Sequence, residues 1–193
     1  MESNTVYFDN PGIENTDRVL AIAKERAEQL GIETVVVAST SGRTAIKAME
    51  VLSNKRVIIV RHSTGFREPN SQEFTEENMK IVQSKGVPVV TAAHAFGGLT
   101  RAMRQGETQI RMTYVIGDIV ASTLRIFGHG MKVACEIAVM ATDAGLLRSD
   151  EEAISIAGEG HSGGANTAIV VKPETVGRFF DFRVKEILCK PRE

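Results

Sequence analysis

The chain contains no tryptophan, only two tyrosines and eight phenylalanines among 193 residues. Its interior therefore has to be filled by Val, Ile, Leu, Ala and Met. Two cysteines, Cys135 and Cys189, are too few for a disulfide framework and read as reduced thiols. Charge of one sign is also lacking. The 23 Lys and Arg residues face 24 Asp and Glu, for a formal net charge of −1, which removes the electrostatic case for nucleic acid or an acidic membrane surface as partner. No apolar run is long enough to span a bilayer; the best candidate, Met131 to Leu147, carries Lys132, Glu136 and Asp143. The start, Met1-Glu2-Ser3-Asn4, lacks the basic-then-apolar pattern of a signal peptide. Internal repeats, low-complexity tracts and linkers are absent as well. What is present is 42% hydrophobic content over a length that suits one domain, residues 1–193. A soluble, cytoplasmic protein with a small-molecule partner is expected.

The most informative stretch is Val35-Val36-Val37-Ala38-Ser39-Thr40-Ser41-Gly42-Arg43-Thr44-Ala45. Its β-branched run suits a strand buried on both faces. Behind the hydroxyl-rich loop, Ala45, Ile46, Met49 and Leu52 fall on one helical stripe. Strand, hydroxyl loop and helix start together build an anion site, because the N–H groups of a first helical turn are unpaired and the helix dipole favours negative charge there. Ser39, Thr40, Ser41 and Thr44 add hydroxyl donors, Gly42 permits close approach of the backbone, and Arg43 offers a charge-assisted bond. The plainer alternative is a strand-to-helix turn in which a Ser or Thr caps the helix.

Around that motif the order is regular. A strand at Thr5–Phe8 leads through the turn Asp9-Asn10-Pro11-Gly12 to a helix capped by Asn15 or Thr16 and ended by Gly31. Strands follow at Val35–Ala38, Arg56–Val60 and Val87–Thr91, separated by helices from Thr44 and from Thr75 to Ser84. This alternation implies a parallel sheet with helices on both faces. Tyr114–Phe127 and Met131–Leu146 are helical, divided by Gly128-His129-Gly130, and the second is apolar enough to be central. Ala153–Ala157 and Thr167–Val171 read as strands joined by a short glycine-rich connection, which suits an antiparallel pair. A last strand covers Phe180–Leu188. The fold expected is a three-layer α/β/α arrangement with a mostly parallel sheet of five or more strands and one late antiparallel strand.

Gly158-x-Gly160-x-x-Gly163 matches a dinucleotide fingerprint as a string, but a strand follows it where the fingerprint needs a helix. His62, His94 and His161 each follow an expected strand, as the Ser39 loop does. Parallel strands would bring these loops to the carboxyl edge, where open α/β sheets bind ligands. Which of His62, His94, His129 and His161 touch a ligand stays open, and their spacing predicts no metal site. Glu136 and Asp143 share one face of an apolar helix. A buried carboxylate needs a partner or a cavity, and Lys132, an arginine or a backbone N–H are the structural alternatives to a role in binding. Cys135 reads as a small core residue.

Glu14-Asn15-Thr16, the helix to Gly31, the strand to Ala38, Ser39-Thr40-Ser41-Gly42-Arg43-Thr44-Ala45 and the strand Val57–Val60 resemble the C-terminal domain of pyruvate kinase. The Ser-Gly-Arg-Thr-Ala core carries most of the resemblance, and the Ile154–Val171 pair with Asn166-Thr167 looks like that domain's closing strands. As a whole the chain is similar to small stand-alone archaeal proteins built on the domain, through Tyr7-Phe8, Pro11-Gly12, Thr64-Gly65-Phe66, Phe127-Gly128-His129-Gly130 and the Glu136–Gly145 helix. The catalytic barrel of pyruvate kinase needs about 200 residues or more, so kinase activity does not come with the resemblance. Some of the stand-alone proteins hold flavin mononucleotide (FMN), and the kinase domain grips a sugar phosphate in some kinases. The resemblance thus implies FMN, with its phosphate on Ser39–Thr44, its ring near Pro11, Gly12, Thr64, Gly65, Phe66 and His94, and Glu136 as a further cofactor-binding residue. Two functions remain expected from it: flavin-dependent redox chemistry, or a sensor that binds a phosphorylated metabolite without turnover. A homo-oligomer is an open expectation.

Overall fold

Val35, Val36 and Val37 point alternately to the two faces of one strand, and all three are fully buried, so helices must cover both sides. A computed structural model, which describes residues 2–105, 116–160 and 163–192, shows how. Its elements are β1 (Val6–Phe8), α1 (Thr16–Leu30), β2 (Thr34–Ala38), α2 (Arg43–Val51), β3 (Arg56–Arg61), α3 (Glu76–Ser84), β4 (Val89–Thr91), α4 (Gly98–Gln105), α5 (Ile116–Arg125), α6 (His129–Asp143), β5 (Ala153–Ala157), β6 (Thr167–Lys172) and β7 (Arg183–Pro191). The seven strands form one sheet in the order β1-β7-β6-β5-β2-β3-β4. Only β6 runs against its neighbours; β5, β2, β3 and β4 are parallel, and β1 is parallel to β7. The three-layer architecture and the single late antiparallel strand are as expected.

The faces divide by strand period. Val35, Val37, Ile59, Ile154 and Val170 pack with α1, α2 and α3 in one core. Val36, Ile58, Val60, Ile169 and Val171 pack with α5 and α6 in the other. Helix α6 is the most deeply embedded element, buried from Gly130 through Thr142 except at Val133. Gly130 permits that depth, because a Cβ there would lie 2.2 Å from Thr167 Oγ1 and 2.6 Å from Asn166 Oδ1. Among the described residues, no helix is long and apolar enough to cross a membrane.

Three local expectations differ from the structure. Neither Asn15 nor Thr16 caps α1 with its side chain. The Asn15 amide donates to the Asn10 carbonyl and Thr16 Oγ1 accepts from Ala165 N–H, so both are used to fasten neighbouring loops. The last strand starts later than the alternation of Phe180, Phe182 and Val184 suggested. Val176–Asp181 form a 3-10 turn, Phe182 is buried by aromatic packing against Phe179, and Phe180 is exposed. The helix read from Tyr114 is described only from Ile116, and Tyr114 itself lies outside the described residues.

Candidate functional site

The parallel strands β2, β3, β4 and β5 end on one edge of the sheet, and a cavity of about 680 Å³ lies across it. One pole is the loop between β2 and α2. Ser39 N–H continues the sheet by donating to Val60 O at 3.0 Å, and Ser39 Oγ turns back to accept from Ala45 N–H at 3.2 Å. Gly42, not a Ser or Thr, stands at the N-cap of α2 and makes no side-chain cap bond, so the plainer alternative is met only in that Ser39, three residues earlier, satisfies one first-turn N–H; its own hydroxyl hydrogen remains available. These bonds leave the Arg43 and Thr44 N–H groups of the first turn without an acceptor among the described residues. Ser39, Thr40, Ser41, Arg43 and Thr44 all line the cavity.

Gly42 does not line it. The reason for glycine here is structural and not close approach of a ligand. Gly42 has φ +98°, and a Cβ would meet Asn78 Cβ at 2.5 Å and Phe74 Cε1 at 2.8 Å. The start of α3 fixes the loop from outside, with Asn78 Nδ2 and Thr75 N–H both donating to Ser41 O.

The other pole is aromatic. The His62 and Phe66 rings stack at 4.0 Å, and Phe66 and His94 stack at 5.0 Å. The Arg101 guanidinium lies 4.0 Å from the Phe66 ring centre, a cation–π contact. His62 Nδ1 is 2.5 Å from Glu73 Oε2. Behind the rings, the carboxylate of Glu136 is 2% exposed and fully engaged. Oε1 accepts from Phe96 N–H at 3.0 Å, Oε2 pairs with the Lys132 ammonium, and His94 Nδ1 is 3.8 Å from Oε2. Glu136 thus has the structural partners expected as alternatives and also faces the cavity. Asp143, by contrast, is exposed and accepts from Val176 N–H, so its place on the apolar helix strands no charge.

Burial pushes the His94 imidazole down to about 4, against the pull of Glu136, which favours the protonated form. His94 is therefore neutral at pH 7. Burial also lowers the Lys132 ammonium, with Glu136 opposing and Arg125 and Arg101 adding repulsion. His129 is lowered by burial and by Arg125. Cys135 is a buried thiol pushed up to about 12 by desolvation, in keeping with a core role.

Among the residues expected at the ligand, Phe66, His94 and Glu136 join the hydroxyl loop on the cavity wall, and His62 and His129 are there too. Pro11, Gly12, Thr64 and Gly65 are not on it. Pro11 and Gly12 only lead into Ile13, which is, while Gly65 lines a smaller hollow of about 140 Å³ that shares Phe66, His94 and Arg101 with the cavity. His161 lies outside the described residues. Gly158, Gly160, Gly163 and Gly164 line the cavity from a β5–β6 connection with no helix behind it, which excludes the dinucleotide arrangement. Sequence reasoning missed Arg61, Arg67, Arg101 and Arg125. Arg61 stands at the end of β3 as Ala38 does at the end of β2, so the carboxyl-edge rule was sufficient to find it. Arg67 follows Phe66 in the loop after β3, so the same rule reached it, while nothing in the local sequence marked Arg101 or Arg125.

Residues 17–171 match the family model described as pyruvate kinase, alpha/beta domain. The chain belongs to that family. In this pyruvate kinase alpha/beta domain the match runs from α1 to β6 and includes every cavity-lining residue named above except Ile13. The outer strands β1 and β7 lie beyond it.

Proposed function

We propose that this chain binds FMN, with the phosphate on the Ser39–Thr44 loop and the ring toward His62, Phe66 and His94. The observation that carries the reading is the pairing of two unlike poles in one cavity. One offers hydroxyls, unpaired helix N–H groups and Arg43, which suit a phosphate dianion. The other offers stacked flat rings, which suit a planar heterocycle. The volume of about 680 Å³ lies inside the range of roughly 300–1,000 Å³ usual for cofactor-sized ligands. FMN, when bound, supplies electron-transfer chemistry; the chain supplies position and electrostatics. His94, neutral and held near Glu136, offers the ring a hydrogen-bonding partner and no charge.

A sensor for a phosphorylated metabolite is the second reading. It is favoured by the self-sufficiency of the loop, whose donors are organised by α2 and α3 without help from the aromatic pole. Binding of FMN and riboflavin, followed by flavin fluorescence, separates the readings. FMN should bind at least about tenfold more tightly than riboflavin, and the Ser39→Ala/Thr44→Ala double variant should lose most of that preference, since each bond to a charged group is worth ~1.5–3 kcal/mol. Equal affinity for both flavins would refute the phosphate anchor. Failure to bind either, with sugar phosphates still binding, would leave the sensor.

A further inference from the structure

The cavity carries more positive charge than one phosphate uses, and much of the surplus lies away from the phosphate loop. Of its six cationic side chains, Lys132 is paired to Glu136 and Arg67 is 3.5 Å from Glu73. Arg43, Arg61, Arg101 and Arg125 have no carboxylate within ion-pair distance among the described residues. Glu159, the other acidic side chain on the wall, acts on His129. Among the described residues, arginines without a carboxylate partner also occur elsewhere on the surface, as at Arg18 and Arg56, but here several of them face one cavity. Arg43 belongs to the phosphate loop and Arg61 Nε is held by Thr91 Oγ1 at 2.6 Å. Arg101 lies on the Phe66 ring, and Arg101 and Arg125 both act on buried Lys132 as like charges. Arg101 and Arg125, without carboxylate partners beside a partly desolvated space, are stabilised by negative charge placed near them.

Resting on the FMN reading, we propose that Arg101 and Arg125 are set to receive negative charge on the ring end of the flavin, so that the chain binds reduced FMN more tightly than oxidised FMN. The oxidised ring is neutral. Two electrons and one proton convert it to a form with one negative charge at its N1–C2 carbonyl end. Attraction of the same cations for the phosphate is common to both states and cancels in the ratio of affinities.

The test measures dissociation constants for oxidised FMN and for dithionite-reduced FMN under anaerobic conditions, together with the midpoint potential of the bound and free flavin. Reduced FMN should bind about tenfold more tightly or better, which for a two-electron couple moves the potential about 30 mV positive of free FMN. In Arg101→Gln and Arg125→Gln, exposed positions that strand no acidic partner, the ratio should fall by about threefold each, with a smaller change for the oxidised form. Equal or weaker binding of reduced FMN overturns the inference and leaves the FMN reading standing. Variants that weaken both forms by the same factor overturn it too, since that is what a role in packing or in holding phosphate would do. Absence of oxidised FMN binding overturns the FMN reading itself, and the inference with it.

Discussion

Lys132 and Glu136 are 6% and 2% exposed, and their pairing makes a sharp demand on a double-mutant cycle. Lys132→Met leaves the carboxylate with Phe96 N–H as its one direct donor, with neutral His94 3.8 Å away. Breaking a buried pair by removing one member costs ~3–5 kcal/mol. Glu136→Met removes the acceptor from Phe96 N–H and strands the ammonium, for a similar cost. Lys132 is already lowered by burial, and without Glu136 it is lowered further. The unfolded chain then holds the proton at pH values where the folded chain has shed it, so the deficit of Glu136→Met shrinks as pH rises toward the ordinary lysine range. The double Lys132→Met/Glu136→Met variant strands neither charge and leaves one orphaned N–H, at about 1–3 kcal/mol. Urea unfolding at pH 7, with the midpoint and slope fitted for all four proteins, reads the cycle. A cost below about 1 kcal/mol for Lys132→Met, or a double variant that costs the sum of the singles, would show that water reaches the pair freely and that the burial argument is wrong.

His94 is held at about 4 in the fold against an ordinary 6.5, so the unfolded chain takes up its proton first as pH falls. Stability from this group is fully present above pH 6.5 and is lost on the way down to pH 4, by roughly 3 kcal/mol in all. The urea midpoint of His94→Gln should be flatter across that window, and parallel curves would refute the assignment. Gly42→Ala should lower stability by ~1–3 kcal/mol in the absence of any ligand, from the left-handed φ and the contact with Asn78 and Phe74; an unchanged melting temperature would return Gly42 to a role in ligand approach.

The sheet was legible because its strands are short β-branched runs between glycine and hydroxyl punctuation, and the direction of β6 because the Gly158–Asn166 connection is too short for a crossover. The phosphate pole was legible because all its parts are adjacent in sequence. The aromatic pole was legible only in part. His62, Phe66 and His94 come from two loops whose meeting depends on β3 and β4 being neighbours, and Glu136 arrives from the opposite helical layer. The arginines of the wall were least legible: Arg101 and Arg125 sit on helices whose local pattern says only that one face is polar. Pro11, Gly12 and Thr64 show the converse, since the residues that carry the resemblance there shape turns beside the cavity and do not reach it.

The reversed direction of β6 also divides the pairings by the length of chain that each one closes. Strands β5, β6 and β7 follow one another through short connections, so their pairing closes only small loops. The β2–β3–β4 block is joined through crossover helices, and β4 and β5 are separated by the whole of α4, α5 and α6. Longest of all, Val6 pairs with Cys189 and Phe8 with Pro191, a closure across nearly the entire chain. Loop closure of that length adds little to the equilibrium cost but much to the search. The three residues of β1 are therefore a latch across the longest loop of the sheet, and sequence separation makes that outer edge its costliest pairing to find.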